Sequence, residues 1–256
     1  MSNLHYLDPN PIGSPAVLLL HGLGADANSW ALQLPVLIEA GFRPIAPDAP
    51  GFGHSPYDGR GWSIRRAAAE MANLLDELQT GPVHVVGLSM GGTIAQQLTL
   101  DYPHLVLKLV LVSTFAVLRP EGWGGWLYFL QRFVLVNTLG LSAQARVVSQ
   151  RIFPDPNSSR MREILVETIS QADPRAYRKA MTALGLFNSV KRLGEIKVPT
   201  LVITGADDTT VAPARQQLLV EGILQARQVI IHEAGHAVPV DQPGTFNREI
   251  LAFLGR

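Results

Sequence analysis

The chain contains no cysteine, which excludes disulfides and thiol catalysis. It has no surplus of charge of either sign. Lysine plus arginine and aspartate plus glutamate each number 21 in 256 residues, so no basic excess is available to neutralise phosphates, and nucleic acid is not an expected partner. A membrane-spanning run is missing too, because the aromatic stretch Trp126–Leu130 is too short and is followed by Gln131 and Arg132. Met1–Tyr6 has no charged segment followed by an apolar one, so no secretory signal is visible and a cytoplasmic protein is expected.

What is present is a well-buried globular composition, 47% hydrophobic and 16% charged, of a length that suits one domain with an insertion. Residues 1–114 alternate continuous apolar runs with amphipathic stretches such as Ser63–Leu78, and the pattern resumes from 198 to 256. That alternation predicts an α/β fold with a mostly parallel central sheet flanked by helices. In 115–197 strand-like runs give way to helical spacing at Ser142–Ile152, Met161–Gln171 and Pro174–Phe187, broken at Pro154–Asn157. A helical cap inserted after the sixth strand is the expectation. Its front concentrates aromatics, among them Phe115, Trp123, Trp126 and Phe129, which either roof a pocket or bury the cap against the core. Trp30 is open to the same two readings.

The strongest local signal is Gly87-Leu88-Ser89-Met90-Gly91, which follows the apolar run Val83–Val86 and precedes a helix-like stretch. A Gly-x-Ser-x-Gly between strand and helix forces the serine into a sharp turn and exposes its hydroxyl as a nucleophile. The same turn sets a helix N-terminus, with unpaired N–H groups, beside any oxyanion formed by attack on a carbonyl. The Met90 amide is one candidate donor. A second is the amide of Leu23, in the glycine-rich loop His21–Gly24 that follows the strand Ala16–Leu20.

A serine elbow of this kind is followed along the chain by an acid and then a histidine. Asp207 and Asp208 compete for the acid; the turn begun at Gly205 favours Asp208, since a few residues are needed before a side chain points back. Of seven histidines, two follow the acid: His232 ends a strand-like run, whereas His236 lies in the loop beyond it and is preferred. The segment His232-Glu233-Ala234-Gly235-His236 also matches the H-E-x-x-H zinc pattern, but that chemistry needs a helix. A β-branched run before it, the glycine within it and Pro239 after it argue against one, so no metal is expected.

His21–Gly24, Asp48-Ala49-Pro50-Gly51-Phe52-Gly53-His54-Ser55, Gly87–Gly92, Gly205–Asp208 and Gly235-His236 resemble the loops of the α/β-hydrolase superfamily, in the family's order and over essentially the whole chain. Small bacterial carboxylesterases and 3-oxoadipate enol-lactonases are the most similar branches. The resemblance implies an α/β-hydrolase fold, a triad of Ser89, Asp208 and His236, and two-step acyl transfer without a cofactor. The expected partner is a small neutral ester or lactone, since no cluster of arginines marks a carboxylate clamp in the sequence. The same triad serves a C–C bond hydrolase of ring-cleavage products or a perhydrolase, and a non-catalytic ligand-binding protein on this fold is the alternative from a different class.

Overall fold

The computed structural model describes residues 3–118 and 122–255, with the side chains of Trp126, Tyr128 and Phe129 outside the description. In chain order the elements are β1 (Tyr6–Leu7), β2 (Ala16–Leu20), α1 (Leu34–Glu39), β3 (Arg43–Pro47), α2 (Ile64–Glu77), β4 (Val83–Leu88), α3 (Met90–Asp101) and β5 (Val106–Val112). Then come α4 (Gly122–Thr138), α5 (Gly140–Ile152), α6 (Ser159–Gln171), α7 (Pro174–Leu186), β6 (Thr200–Gly205), α8 (Pro213–Gly222), β7 (Ala226–Ile231), α9 (Val238–Asp241) and α10 (Pro243–Leu254).

The strands form one sheet in the order β1-β3-β2-β4-β5-β6-β7, parallel throughout except for β1 against β3. Its strands are continuously apolar because both faces are covered. In β2, Ala16, Leu18 and Leu20 join one buried cluster while Val17 and Leu19 join the other, the two-residue alternation of a pleated strand. β5 repeats it, with Leu109 and Leu111 on the first face and Val110 and Val112 on the second.

The helix expected over Ser63–Leu78 is α2. Ser63 caps it, its side chain accepting the Arg66 N–H, and Ala67, Ala68, Met71, Leu74 and Leu75 form its buried face. The helices expected in the insertion are α5, α6 and α7, preceded by α4. They follow the fifth described strand rather than the sixth. Their place in the chain is as expected, and the count differs because Tyr6–Leu7 is the single strand described ahead of β2. Buried residues of the insertion, including Ala145, Ile169, Ala176 and Tyr177, belong to the same cluster as one face of the sheet. No helix among the described residues is long and apolar enough to cross a membrane.

Because the strands run parallel, their carboxyl ends share one edge, where loops from different strands meet. The loops after β2, β4, β5, β6 and β7 carry His21–Leu23, Ser89, Thr114, Asp208 and His236 respectively.

Candidate active site

Ser89 stands between β4 and α3 at φ 54° and ψ −110°, a conformation that side chains adopt at a cost. Three contacts hold it there. Its N–H donates to the Val112 carbonyl at 2.9 Å, its carbonyl accepts the Thr114 hydroxyl at 2.7 Å, and the same carbonyl accepts the Gly92 N–H at 3.0 Å. The turn closes so tightly that a Cβ at Gly91 would collide with the Leu20 carbonyl oxygen. Met90, the first residue of α3, presents one of the helix amides that have no partner within the helix.

The His21–Gly24 loop passes beside this turn: a Cβ on Gly22 would stand 3.7 Å from the Ser89 Cβ. His21 fixes the loop. The Ala49 N–H donates to His21 Nε2 at 2.9 Å, which leaves Nδ1 to carry the proton and donate to the Gly22 carbonyl at 2.8 Å. Burial holds the His21 imidazole below its ordinary pKa, against the opposing pull of the Gly22 carbonyl. It is a loop pin.

Asp208 and His236 form a buried pair, 3% and 7% exposed, with His236 Nδ1 2.9 Å from Asp208 Oδ2. The other carboxylate oxygen of Asp208 accepts the N–H groups of Thr210 and Val211 at 2.8 and 2.9 Å, the turn chemistry of an aspartate that bonds its own following backbone. Gln216 Nε2 donates to Oδ2 at 3.3 Å, and its own oxygen accepts the Thr204 hydroxyl at 2.9 Å. Asp207 is exposed and its N–H ties the loops together by donating to the Ala234 carbonyl at 2.9 Å. Between the two loops the backbones touch: a Cβ at Gly205 would collide with the carbonyls of Gly235 and Ala234. Asp241 then anchors the histidine loop, accepting the Gly235 N–H at 2.9 Å. Burial raises the Asp241 carboxyl above its ordinary pKa, more strongly than the Gly235 N–H and the His236 charge lower it.

His232 is exposed, and residues 232–236 form turn and loop rather than helix, so the two histidines of the H-E-x-x-H match do not share a helical face.

A cavity of about 440 Å³ is lined by Ser89 and His236 together with Gly22 and Leu23. Of the candidate aromatics, Phe115 lines it. Trp30 does not: it is 1% exposed and packs beside Phe246 in the opposite core layer, where the short helical turn Ala27–Trp30 directs it. Trp123 is 92% exposed, on the outer side of α4. Trp126 and Phe129 have side chains outside the described residues.

Three arginines that are remote from one another in sequence meet at this cavity's wall. Arg132 of α4, Arg151 of α5 and Arg215 of α8 all line the cavity. Thr114, Gln216 and Asp241 carry no signal in the sequence, since none belongs to a motif.

The architecture defines a class. The family model for the alpha/beta hydrolase fold matches residues 15–243, and the chain belongs to that family. Among its relatives is RutD of Variovorax paradoxus (strain S110), which carries the name carbamate hydrolase; it is 34% identical over 99% of this chain and 96% of its own. The 2-hydroxy-6-oxononadienedioate/2-hydroxy-6-oxononatrienedioate hydrolase of Burkholderia vietnamiensis (strain G4 / LMG 22486) is 32% identical over 99% of this chain and 91% of its own. Among solved structures, the enol-lactonase from Burkholderia xenovorans LB400 superposes with a TM-score of 0.89 at 28% identity, covering 99% of this chain and 96% of that one. The chain is a hydrolase of the α/β fold.

Proposed function

We propose that this hydrolase cleaves small carboxylic esters or lactones through an acyl-enzyme formed on Ser89. The observation that carries the reading is that a strained serine and a buried histidine, itself bonded to Asp208, line one cavity. With Nδ1 committed to Asp208, Nε2 is the nitrogen left to take the Ser89 proton. Ser89 Oγ bonds to the substrate carbonyl carbon, and the oxyanion is received by the Leu23 and Met90 amides. One such donor is worth roughly 2.7–4 kcal/mol. Collapse expels the alcohol, which takes the proton from His236. Water, deprotonated by His236, then cleaves the acyl-enzyme and releases the acid.

Asp208 orients the imidazole and stabilises its charged form, and its remaining oxygen is satisfied by the Thr210 and Val211 amides. In this reading 115–197 form a cap over a core of 1–114 and 198–256. It is supported by the wall that α4 to α7 contribute through Arg132, Val148, Leu165 and Leu184.

A p-nitrophenyl ester panel from acetate to laurate at neutral pH, with Ser89→Ala alongside, tests the reading. Loss of the serine is expected to lower kcat by about a millionfold. Equal turnover by Ser89→Ala refutes Ser89 as nucleophile. The relative named for C–C hydrolysis favours one second reading, in which the same groups cut a carbon–carbon bond. It predicts inactivity on the aryl esters and turnover of a vinylogous 1,5-diketone ring-cleavage product.

A further inference from the structure

We propose that the outer face of α4 joins two copies of this chain, the two helices packed antiparallel across a two-fold axis. α4 is apolar around most of its circumference: one charged residue, Arg132, stands among its 17, and a helix of that kind is covered on every side. Its inner side is covered by the protein itself. Val136 is buried, and Arg132 lines the cavity and donates to the Tyr177 hydroxyl at 3.3 Å. The outer side lies open: Trp123, Leu127, Leu130 and Val134 are exposed, by 92% at Trp123 and 47% at Val134. At 3.6 residues per turn these four fall within about 60° of one another around the helix, with Arg132 on the side opposite.

The spacing points to a second α4 as what covers them. The four residues stand four, three and four apart, the alternation of a two-helix seam. Those intervals read the same in both directions. An antiparallel copy therefore sets Trp123 opposite Val134 and Leu127 opposite Leu130, the largest side chain of the seam against its smallest. A patch that complements itself is what a two-fold interface requires. With Phe133 beside them, the four expose on the order of 600 Å², so a pair of copies covers about 1,200 Å², above the roughly 1,000 Å² of a specific interface.

Charge favours the same occupant. Gln131, Asn137 and Thr138, exposed beside the seam, are uncharged, so no like charges from them meet when the face pairs with itself. Asn137 and Thr138 turn back on the helix and donate to the carbonyls of Phe133 and Val134 at 2.7 and 2.8 Å, which lowers the cost of covering them. A lipid surface is the poorer match, because a helix lying on a membrane carries lysines or arginines on its polar side, and the single cation of α4 faces the cavity. The inner side of the helix lines that cavity through Gly125 and Arg132, so the pairing braces one wall of the site.

Sedimentation velocity tests the proposal. At tens of micromolar the wild-type protein is expected to sediment with twice the 27.8 kDa of the chain. Leu127→Glu sets two carboxylates in the seam near the axis and is expected to weaken association by about a hundredfold or more. Leu127 is exposed in the single chain, so the variant is expected to keep its melting temperature. Cross-linking reads the register, and the lack of native cysteine leaves no background. A mixture of Trp123→Cys and Val134→Cys proteins is expected to form a disulfide-linked pair under mild oxidation. Trp123→Cys alone is expected not to, since the two copies of that position stand about 16 Å apart along the paired helices. A wild-type protein that stays monomeric, a dimer that Leu127→Glu leaves intact, or linkage of Trp123→Cys to itself overturns the inference. So does flotation of the monomer with phosphatidylglycerol vesicles that Leu127→Glu abolishes, which assigns the face to a lipid surface. None of these readouts depends on the chemistry at Ser89, so the pairing and the ester reading stand or fall separately.

Discussion

His21 Nε2 accepts the backbone N–H of Ala49 at 2.9 Å, and through that bond the loop after β2 is fastened to the loop after β3. The consequence lies one residue away, at Gly22 and Leu23, which border the cavity beside Ser89. In His21→Ala the buried Ala49 N–H loses its acceptor, a loss of about 1–3 kcal/mol. Urea unfolding is expected to show that drop. If Leu23 supplies an oxyanion donor, ester turnover falls through kcat more than through KM, because the loop's position matters most in the transition state.

Two buried imidazoles make stability depend on pH on the acid side. Burial lowers the pKa of His21, and lowers that of His84 to about 4, helped by the nearby Lys108 charge. Below the ordinary value of 6.5 the unfolded chain takes up protons that the native protein refuses, so stability falls as pH falls. The melting temperature is expected to decline between pH 6.5 and about 4. His84 Nδ1 has no hydrogen-bond partner among the described residues, and its ring packs edge-on to Phe42 at 5.9 Å. His84→Leu should therefore flatten the decline, and a melting series from pH 7 to 4 checks it.

The elbow tolerates no side chain at Gly91, since a Cβ there meets the Leu20 carbonyl, a backbone atom of a central strand. Overpacking against a group that cannot move costs roughly 1–3 kcal/mol or more. Gly91→Ala is expected to lower the melting temperature and to abolish turnover by displacing Ser89. Gly124, in α4, is the control: no atom of the described residues lies within 4 Å of its Cβ position, and Gly124→Ala gains helix propensity of up to about 1 kcal/mol.

Legibility in the sequence followed the range of the forces involved. The strands and their shared edge are written in apolar runs, and the Ser89 turn in small residues at fixed spacing, because both are local. The preference for Asp208 over Asp207 came from turn length, and the structure gives Asp208 the contact with His236 while Asp207 faces solvent. Pocket walls are not local. Residue type alone nominates Trp30 and Trp123 for the wall, and one packs in the far core layer while the other is exposed on α4. The three arginines escaped because only the packing of α4, α5 and α8 brings them to one cavity. Asp241 escaped because its partner is a backbone N–H, which leaves no trace in residue type.

Asp241 offers a way to separate positioning from charge. Its carboxylate accepts the Gly235 N–H at 2.9 Å, next to His236, while burial raises its pKa above 3.8. A carboxyl whose native pKa is raised binds its proton more tightly folded than unfolded, so its ionisation subtracts from stability as pH climbs past its ordinary range. Asp241→Asn keeps an acceptor for Gly235 and removes that charge. It is expected to melt higher than wild type at pH 7, with the difference shrinking toward pH 3.5, below the ordinary value of 3.8. Asp241→Ala removes the acceptor and frees the loop, and a displaced base costs turnover roughly tenfold to a hundredfold. If Asn retains most of the ester turnover and Ala does not, the side chain acts by holding His236 in place. Equal losses in both variants would assign the effect to the charge instead, and melting curves at the two pH values would show whether that charge is ionised in the native protein.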